Sequence, residues 1–287
     1  MSQRLQWPKR ILVAVDFDAT AESALSHGRW WARQSGASLA VLHVGAEPSS
    51  GAASGIHTAL PELRGLVETA MPQDEPPPEL LLRAGRPGPE ISAAAASTGA
   101  DLIVVGTHGR GVVGRWTLGS VADDLLRTTA VPVLLVHVAG DFSRDGVVVA
   151  AVDLSDASAA VVRHAGDLAA ARAAPLRLLH VLPIGDHRSP GHVVMREAAT
   201  GSLKELQERH VPPAVEAEVH VAMRMEAPAS AIAQYAKSQR AVLIVMGAHG
   251  ASGWTRGVLG SVTARLLHET ALPVLVVRAA AHDEAMT

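Results

Sequence analysis

Cysteine is missing altogether from the 287 residues. Its absence excludes disulfides, thiolate metal sites, thiol catalysis and iron–sulfur clusters together, and it fits a cytosolic protein. Aromatic side chains are scarce, with five Trp, two Phe and one Tyr. Lysine occurs only at Lys9, Lys204 and Lys237. Neither half has a surplus of positive charge: residues 1–140 hold 11 basic and 13 acidic side chains, and residues 141–287 hold 14 and 15. That balance argues against a general nucleic-acid or anionic-membrane binder. No apolar run approaches the ~18–20 residues of a membrane span. The strongest, Ala241 to Ala248, is eight residues long. The basic N-terminus, Met1 to Arg10, leads into an apolar run that stops after five residues at Asp16, which rejects a signal peptide.

What the chain does have is itself twice over. Its length suits two domains at ~100–200 residues each. Ile11-Leu12-Val13-Ala14-Val15-Asp16 recurs as Val148-Val149-Ala150-Ala151-Val152-Asp153, and Val41-Leu42-His43-Val44 as Leu178-Leu179-His180-Val181. Leu102 to Gly106 recurs as Leu243 to Gly247, and Val131 to Val136 as Leu272 to Val277. The first two offsets are 137 and the last two are 141, so one four-residue indel separates them. Such a period is too long for a solenoid unit and marks a duplicated domain, 1–140 and 141–287. The boundary falls in the polar stretch Ala139 to Gly146.

The repeated apolar runs lack strict alternation, as strands buried on both faces do. Helical patterns lie between them: Thr20 to Gln34, about His57 to Thr69, Pro87 to Thr98 and Ser120 to Thr129 in the first half. The second half has them at Ala157 to Arg172, Ala227 to Gln239 and Ser261 to Thr270. Strands alternating with helices predict an α/β fold with an open, doubly wound parallel sheet in each half.

A glycine motif follows the fourth strand of each half. Gly106-Thr107-His108-Gly109, nine residues, then Gly119-Ser120 matches Gly247-Ala248-His249-Gly250, nine residues, then Gly260-Ser261. Glycines let backbone N–H groups approach an anion, and a helix N-terminus adds unpaired donors and a positive dipole end. Ligands of open α/β sheets sit beyond the strand carboxyl ends, where Asp16 and Asp153 also fall. The arrangement suits a nucleotide with its phosphates on the Gly-Ser turn. The competing reading is a plain helix cap, with Ser120 and Asp123 as a capping-box pair.

Gly109-Arg110-Gly111-Val112-Val113-Gly114 imitates a dinucleotide fingerprint, but it follows the fourth strand and has no copy in the second half. No Gly-x-x-x-x-Gly-Lys-[Ser/Thr] loop occurs, so backbone amides would meet the phosphates, helped by Arg110, Arg115 or Arg256. His43, His180, His108 and His249 lack tight metal-ligand spacing and read as structural or nucleotide-contacting groups. Trp30 and Trp31 read as packing groups on a helix; Trp116 and Trp254 lie in the nine-residue loops.

With these motifs both halves resemble the universal stress protein family, in the tandem form of its ATP-binding branch. The resemblance implies five-stranded sheets of order 3-2-1-4-5, Rossmann-like, with ATP in each crevice and Mg2+ left open as its companion. It implies that Ala14, Val15, Asp16 and Val44 hold adenine and ribose, and that Val105, Gly106, Gly109, Gly119, Ser120 and Val121 hold ribose and phosphates. The second-half counterparts are Ala151, Val152, Asp153, Val181, Met246, Gly247, Gly250, Gly260, Ser261 and Val262. It further implies that the fifth strands, Val131–Val138 and Pro273–Val277, pair about a pseudo-two-fold axis as an intramolecular dimer, with association of two chains open. Phe17-Asp18 and Leu154-Ser155 depart from the family's Gly-Ser after the first strand, and Glu226 replaces the glycine that Gly85 keeps.

The expected function is a cytoplasmic, nucleotide-dependent regulator of a stress response, read by a protein partner of unknown identity. The alternatives are a slow ATPase and a nucleotide-free scaffold. The first needs a metal-bound nucleotide and a positioned water, for which Asp16 and Asp153 are the only obvious candidates. No catalytic set is assigned.

Overall fold

The computed structural model describes residues 7–46, 54–72, 75–107, 118–137, 145–183, 191–249 and 259–278. The chain divides into two compact units, residues 4–142 and 143–287 apart from the first three residues.

The first unit runs β1 (Arg10–Val15), α1 (Ala21–Ser35), β2 (Ser38–Gly45), α2 (Ser54–Ala70), β3 (Glu79–Ala84), α3 (Pro87–Thr98), β4 (Leu102–Gly106), α4 (Ser120–Thr128) and β5 (Val133–Val136). All its strands are parallel, in the order β3-β2-β1-β4-β5. The second runs β6 (Val147–Ala151), α5 (Ser158–Arg172), β7 (Leu176–Pro183), α6 (Gly191–His210), β8 (Ala217–Arg224), α7 (Pro228–Ser238), β9 (Ala241–Gly247), α8 (Ser261–Glu269) and β10 (Val274–Val277). Its order is β8-β7-β6-β9-β10, again all parallel. Order reverses beside β1 in one unit and beside β6 in the other, and each reversal leaves a crevice at the strand carboxyl ends.

The core follows from composition. Ile11, Leu12, Val13, Val41, Leu42, Leu102, Ile103 and Val104 are fully buried, as are Val148, Val149, Leu178, Leu243, Ile244 and Val245. A strand covered on both faces needs apolar side chains on successive residues, which these runs supply. Trp31 is wholly buried, edge-on to Trp7 and Trp30 at ring-centroid distances of 5.4 and 5.9 Å, and packs as expected.

Four helices differ from expectation. The helix expected over 57–69 runs Ser54–Ala70 with Pro61 inside it. The helix α6 has no counterpart in the sequence reading. Only Ala199 and Leu203 of its side chains are buried, so its apolar stripe is too thin to register as a period. Finally, Gly119 and Gly260 rather than Ser120 and Ser261 hold the cap positions of α4 and α8.

Candidate functional site

In the second unit, β6, β7 and β9 end around a cavity of about 190 Å³. Ala151, Val152 and Asp153 line it from β6 and the residues just after, and Val181 lines it from β7. Met246 and Gly247 line it from β9; Gly260, Ser261 and Val262 line it from the start of α8. Nine of the ten second-half positions named from sequence therefore meet at one cavity. The tenth, Gly250, lies outside the described residues, as do Arg256 and Trp254.

Backbone bonds put α8 there. Ala248 N–H donates to the Val277 carbonyl at 2.9 Å, and Gly260 N–H donates to the Ala248 carbonyl at 2.9 Å. This approach is close: a Cβ on Gly260 would stand 3.0 Å from the Ala248 oxygen and 3.3 Å from His249 Cα. Thr263 Oγ1 donates to the Gly247 carbonyl at 2.8 Å and ties the first turn of α8 to the end of β9. Neither α4 nor α8 has a side-chain cap. The first bond of the α8 ladder runs from Ala264 N–H to the Gly260 carbonyl, so the N–H groups of Ser261, Val262 and Thr263 precede it. The capping-box reading of the Gly-Ser element thus fails in the geometry.

Asp153 is held by its own loop. Its Oδ1 accepts from Ser155 N at 3.1 Å, Ser155 Oγ at 2.6 Å and Ser158 Oγ at 3.1 Å. Its Oδ2 is buried with no hydrogen-bond partner among the described residues. A buried carboxylate oxygen without a donor is costly, and a ligand hydroxyl or amino group would satisfy it. Leu154, next in sequence, has φ 65°, the left-handed region that glycine fills without strain.

The first unit has the same scaffold. Ala14 and Val15 end β1, Asp16 follows, Val44 lies on β2, and Val105 and Gly106 end β4. Thr107 N–H donates to the Val136 carbonyl at 2.9 Å and Gly119 N–H to the Thr107 carbonyl at 2.8 Å, which delivers Gly119, Ser120 and Val121 to the strand ends. Gly109, Arg110, Arg115, His108 and Trp116 lie outside the described residues. His43 and His180 play one part in both units. Their Nδ1 atoms sit 2.9 and 2.7 Å from the carbonyls of Val15 and Val152, tying the second strand to the end of the first.

The loop after β1 is chemically different from its copy. Asp18 replaces the position of Ser155, Thr20 that of Ala157, and Ala21 that of Ser158. Asp16 Oδ1 accepts from Asp18 N at 3.4 Å. Asp18 Oδ1 in turn accepts from Thr20 N at 2.7 Å and Thr20 Oγ1 at 2.6 Å. The Asp16 carboxyl is pushed up to about 6, first by partial burial and next by the Asp18 carboxylate. Phe17 has φ 58°, like Leu154, and its ring lies on His43 at 4.3 Å.

Glu226 forms an ion pair with Arg224 at 3.5 Å, which offsets its charge. Among the described residues no group of three or more His, Asp or Glu converges as a metal site. No described helix is long and apolar enough to cross a membrane.

Comparison with known proteins fits this geometry. The universal stress protein family profile matches twice, over residues 8–137 and 146–278. The chain belongs to the universal stress protein family. A universal stress protein of Mycolicibacterium smegmatis is 35% identical over 192 residues, 64% of this chain and 63% of that protein, so the match spans less than two thirds of that relative's length. One from Mycobacterium tuberculosis is 29% identical over 299 residues, covering 93% of this chain and 96% of its own. The crystal structure of a universal stress protein from Archaeoglobus fulgidus superposes with a TM-score of 0.66 at 22% identity, covering 96% of this chain and 97% of its own, a likeness of fold.

Proposed function

We propose that this tandem universal stress protein binds an adenine nucleotide, ATP, at the strand-end crevice of each half and acts as a nucleotide-dependent regulator rather than an enzyme. The cavity of the second unit carries the reading. Its wall has apolar faces for a base, from Val152, Val181 and Met246, and one unpartnered carboxylate oxygen on Asp153. The start of α8 supplies donors and a positive dipole end for phosphates. At about 190 Å³ the space is below the ~300–1,000 Å³ of pockets that engulf a whole drug-sized ligand. It suits a base and sugar, with phosphates outside at the helix. Nucleotide occupancy would bias the loops at 107–118 and 248–259, a state for a partner protein to read. Association of two chains belongs to the same reading, as does a cytoplasmic location.

The test is release of bound nucleotide from the purified chain, identified by mass spectrometry, with calorimetric titration of ATP. Ser120→Glu and Ser261→Glu are the informative variants. An acidic residue in a first helical turn favours the helix while competing for the anion position, so folding is kept. The expected result is loss of ATP from one crevice per substitution. A chain that takes up no ATP, and whose melting temperature ATP leaves unchanged, overturns the proposal in favour of a scaffold. Steady ATP turnover would move the reading to a slow hydrolase.

A further inference from the structure

We propose that Asp18 and Thr20 make the first crevice the weaker, proton-gated nucleotide site, and that Ser155 and Ala157 make the second crevice the constitutive one. This rests on the nucleotide reading above and concerns how the two sites differ.

Space comes first. A Cβ on Gly106 would collide with Thr20 Oγ1 and lie 2.6 Å from Thr20 Cβ, so the threonine side chain is packed directly over the glycine that ends β4. In the second unit the same hypothetical atom on Gly247 meets the His249 carbonyl oxygen at 3.1 Å but Ala157 Cβ only at 3.9 Å, and Ala157 lines the cavity. Thr20 is 3% exposed and cannot swing out, because its hydroxyl and its N–H both bond Asp18 Oδ1. The threonine occupies room that the alanine leaves to a ligand.

Charge comes second. Asp153 is held by donors from Ser155 and Ser158 on one oxygen, and its second oxygen is buried without a hydrogen-bond partner among the described residues. Asp16 instead has another carboxylate, Asp18, two residues on, and the Asp18 N–H that donates to it stands at 3.4 Å. With one proton between them the pair carries the same charge as Asp153 alone. With none it carries one more negative charge, against a polyanionic ligand. Titratable groups on the surrounding elements are His43 on β2, His137 after β5 and Glu22 opening α1. His43 is bonded to the Val15 carbonyl, and His137 Nδ1 sits 2.8 Å from Thr107 Oγ1. Asp18 is the charged group that acts on Asp16.

The sign follows. Binding of a polyanion favours the protonated pair, so first-site affinity falls as pH rises through about 6. If one proton is required, the dissociation constant rises by up to about tenfold per pH unit above that point.

Full-length Ser261→Glu reports the first crevice and full-length Ser120→Glu the second. Each is titrated with ATP at about pH 5 and about pH 7.5, so the ionisation of ATP itself affects both alike and cancels in the ratio. The expected result is a first-site constant that weakens at least about tenfold more than the second-site constant. Adding Asp18→Ser to Ser261→Glu should shrink the excess by the Asp18 share and leave the share due to burial, and adding Thr20→Ala should tighten binding at both pH values. An equal pH response of the two sites, or an excess that Asp18→Ser leaves undiminished, overturns the proposal while nucleotide binding stands. So does a first crevice that stays empty at about pH 5. A wild-type chain that binds no ATP at either pH overturns the nucleotide reading and this proposal with it.

Discussion

The loop after the first strand reads Asp16-Phe17-Asp18-Ala19-Thr20-Ala21 in one half and Asp153-Leu154-Ser155-Asp156-Ala157-Ser158 in the other. Both loops keep the aspartate and a non-glycine residue at positive φ. Both keep the histidine that bonds the end of the first strand. They part in what surrounds the aspartate: three hydroxyl and N–H donors in the second, a second carboxylate in the first. Duplication copied the scaffold, in which every strand pairing and helix start is repeated. The polar residues that set charge and volume at the crevice then diverged without disturbing a sheet hydrogen bond. Fold and site character are thus separable here, because the strands carry one and a six-residue loop carries the other.

The shared scaffold breaks hardest in the helix that follows this loop. Trp31 on α1 and its counterpart Leu168 on α5 are both fully buried. Leu168→Ala should cost about 2–5 kcal/mol, and Trp31→Ala about 3–5 kcal/mol. Trp31 also loses two edge-to-face contacts, with Trp7 and Trp30, each of the order of 0.5–1.5 kcal/mol where such pairs have been measured. Denaturant unfolding of the two variants measures the pair. A Trp31→Ala loss smaller than that of Leu168→Ala would mean that α1 closes over the gap and that the aromatic cluster adds nothing specific.

The comparison sharpens under acid titration. Asp16 is held at about 6, against an ordinary value of 3.8, so the folded chain binds this proton more tightly than the unfolded chain does. The contribution is present below about 4 and is lost as pH rises towards about 6. Asp18→Ser should remove the Asp18 share, so that the variant gains melting temperature over wild type near pH 7 and loses that gain by about pH 4. Ser155→Asp should do the converse in the second half and lower the melting temperature at neutral pH. If Asp18→Ser leaves the pH profile of melting unchanged, burial alone perturbs Asp16 and the two loops are electrostatically alike.

Much of this was open to reading from the sequence. The two parallel sheets and most helices follow from apolar runs of strand length and from the repeat, while the strand order came from the family resemblance. The second crevice assembles from the positions that the motifs mark, because strand ends and glycine turns are local signals. What escaped was non-local. Lys9 and Arg10 donate backbone N–H groups to the Asp101 carboxylate at 2.9–3.0 Å and fix the start of β1. In the second half the same two places are Gly146 and Val242, which meet by close packing instead. Nothing in the sequence spacing ties residue 9 to residue 101. The helix α6 escaped for a different reason: its first turns expose Val193, Val194 and Met195, so its hydrophobic residues point away from any period a core would impose. Ser120 and Ser261 were good cap residues by type, yet the chain must pass close to Ala248 in the second half, and only a glycine at 260 permits that.

The smallest difference lies in the helices that begin at the crevices. Each carries one ion pair at i,i+4 spacing, and the two are reversed in direction. In α4 the acid comes first, Asp123 to Arg127 at 2.9 Å; in α8 the base comes first, Arg265 to Glu269 at 2.7 Å. Asp123 stands in the first turn, beside the positive end of the helix dipole, and Arg127 in the last, beside the negative end. In α8 Glu269 ends the helix and opposes the dipole, while Arg265 stands mid-helix. Exposed pairs of this spacing contribute about 0.2–0.5 kcal/mol, more when the acid is N-terminal. Asp123→Ala should therefore cost more than Glu269→Ala, and molar salt should shrink the gap, since screening acts on both the pair and the dipole. Double-mutant cycles at low and high salt measure it. Equal coupling in the two helices would show that pair geometry outweighs direction, and that the dipole has no hold on side chains this exposed.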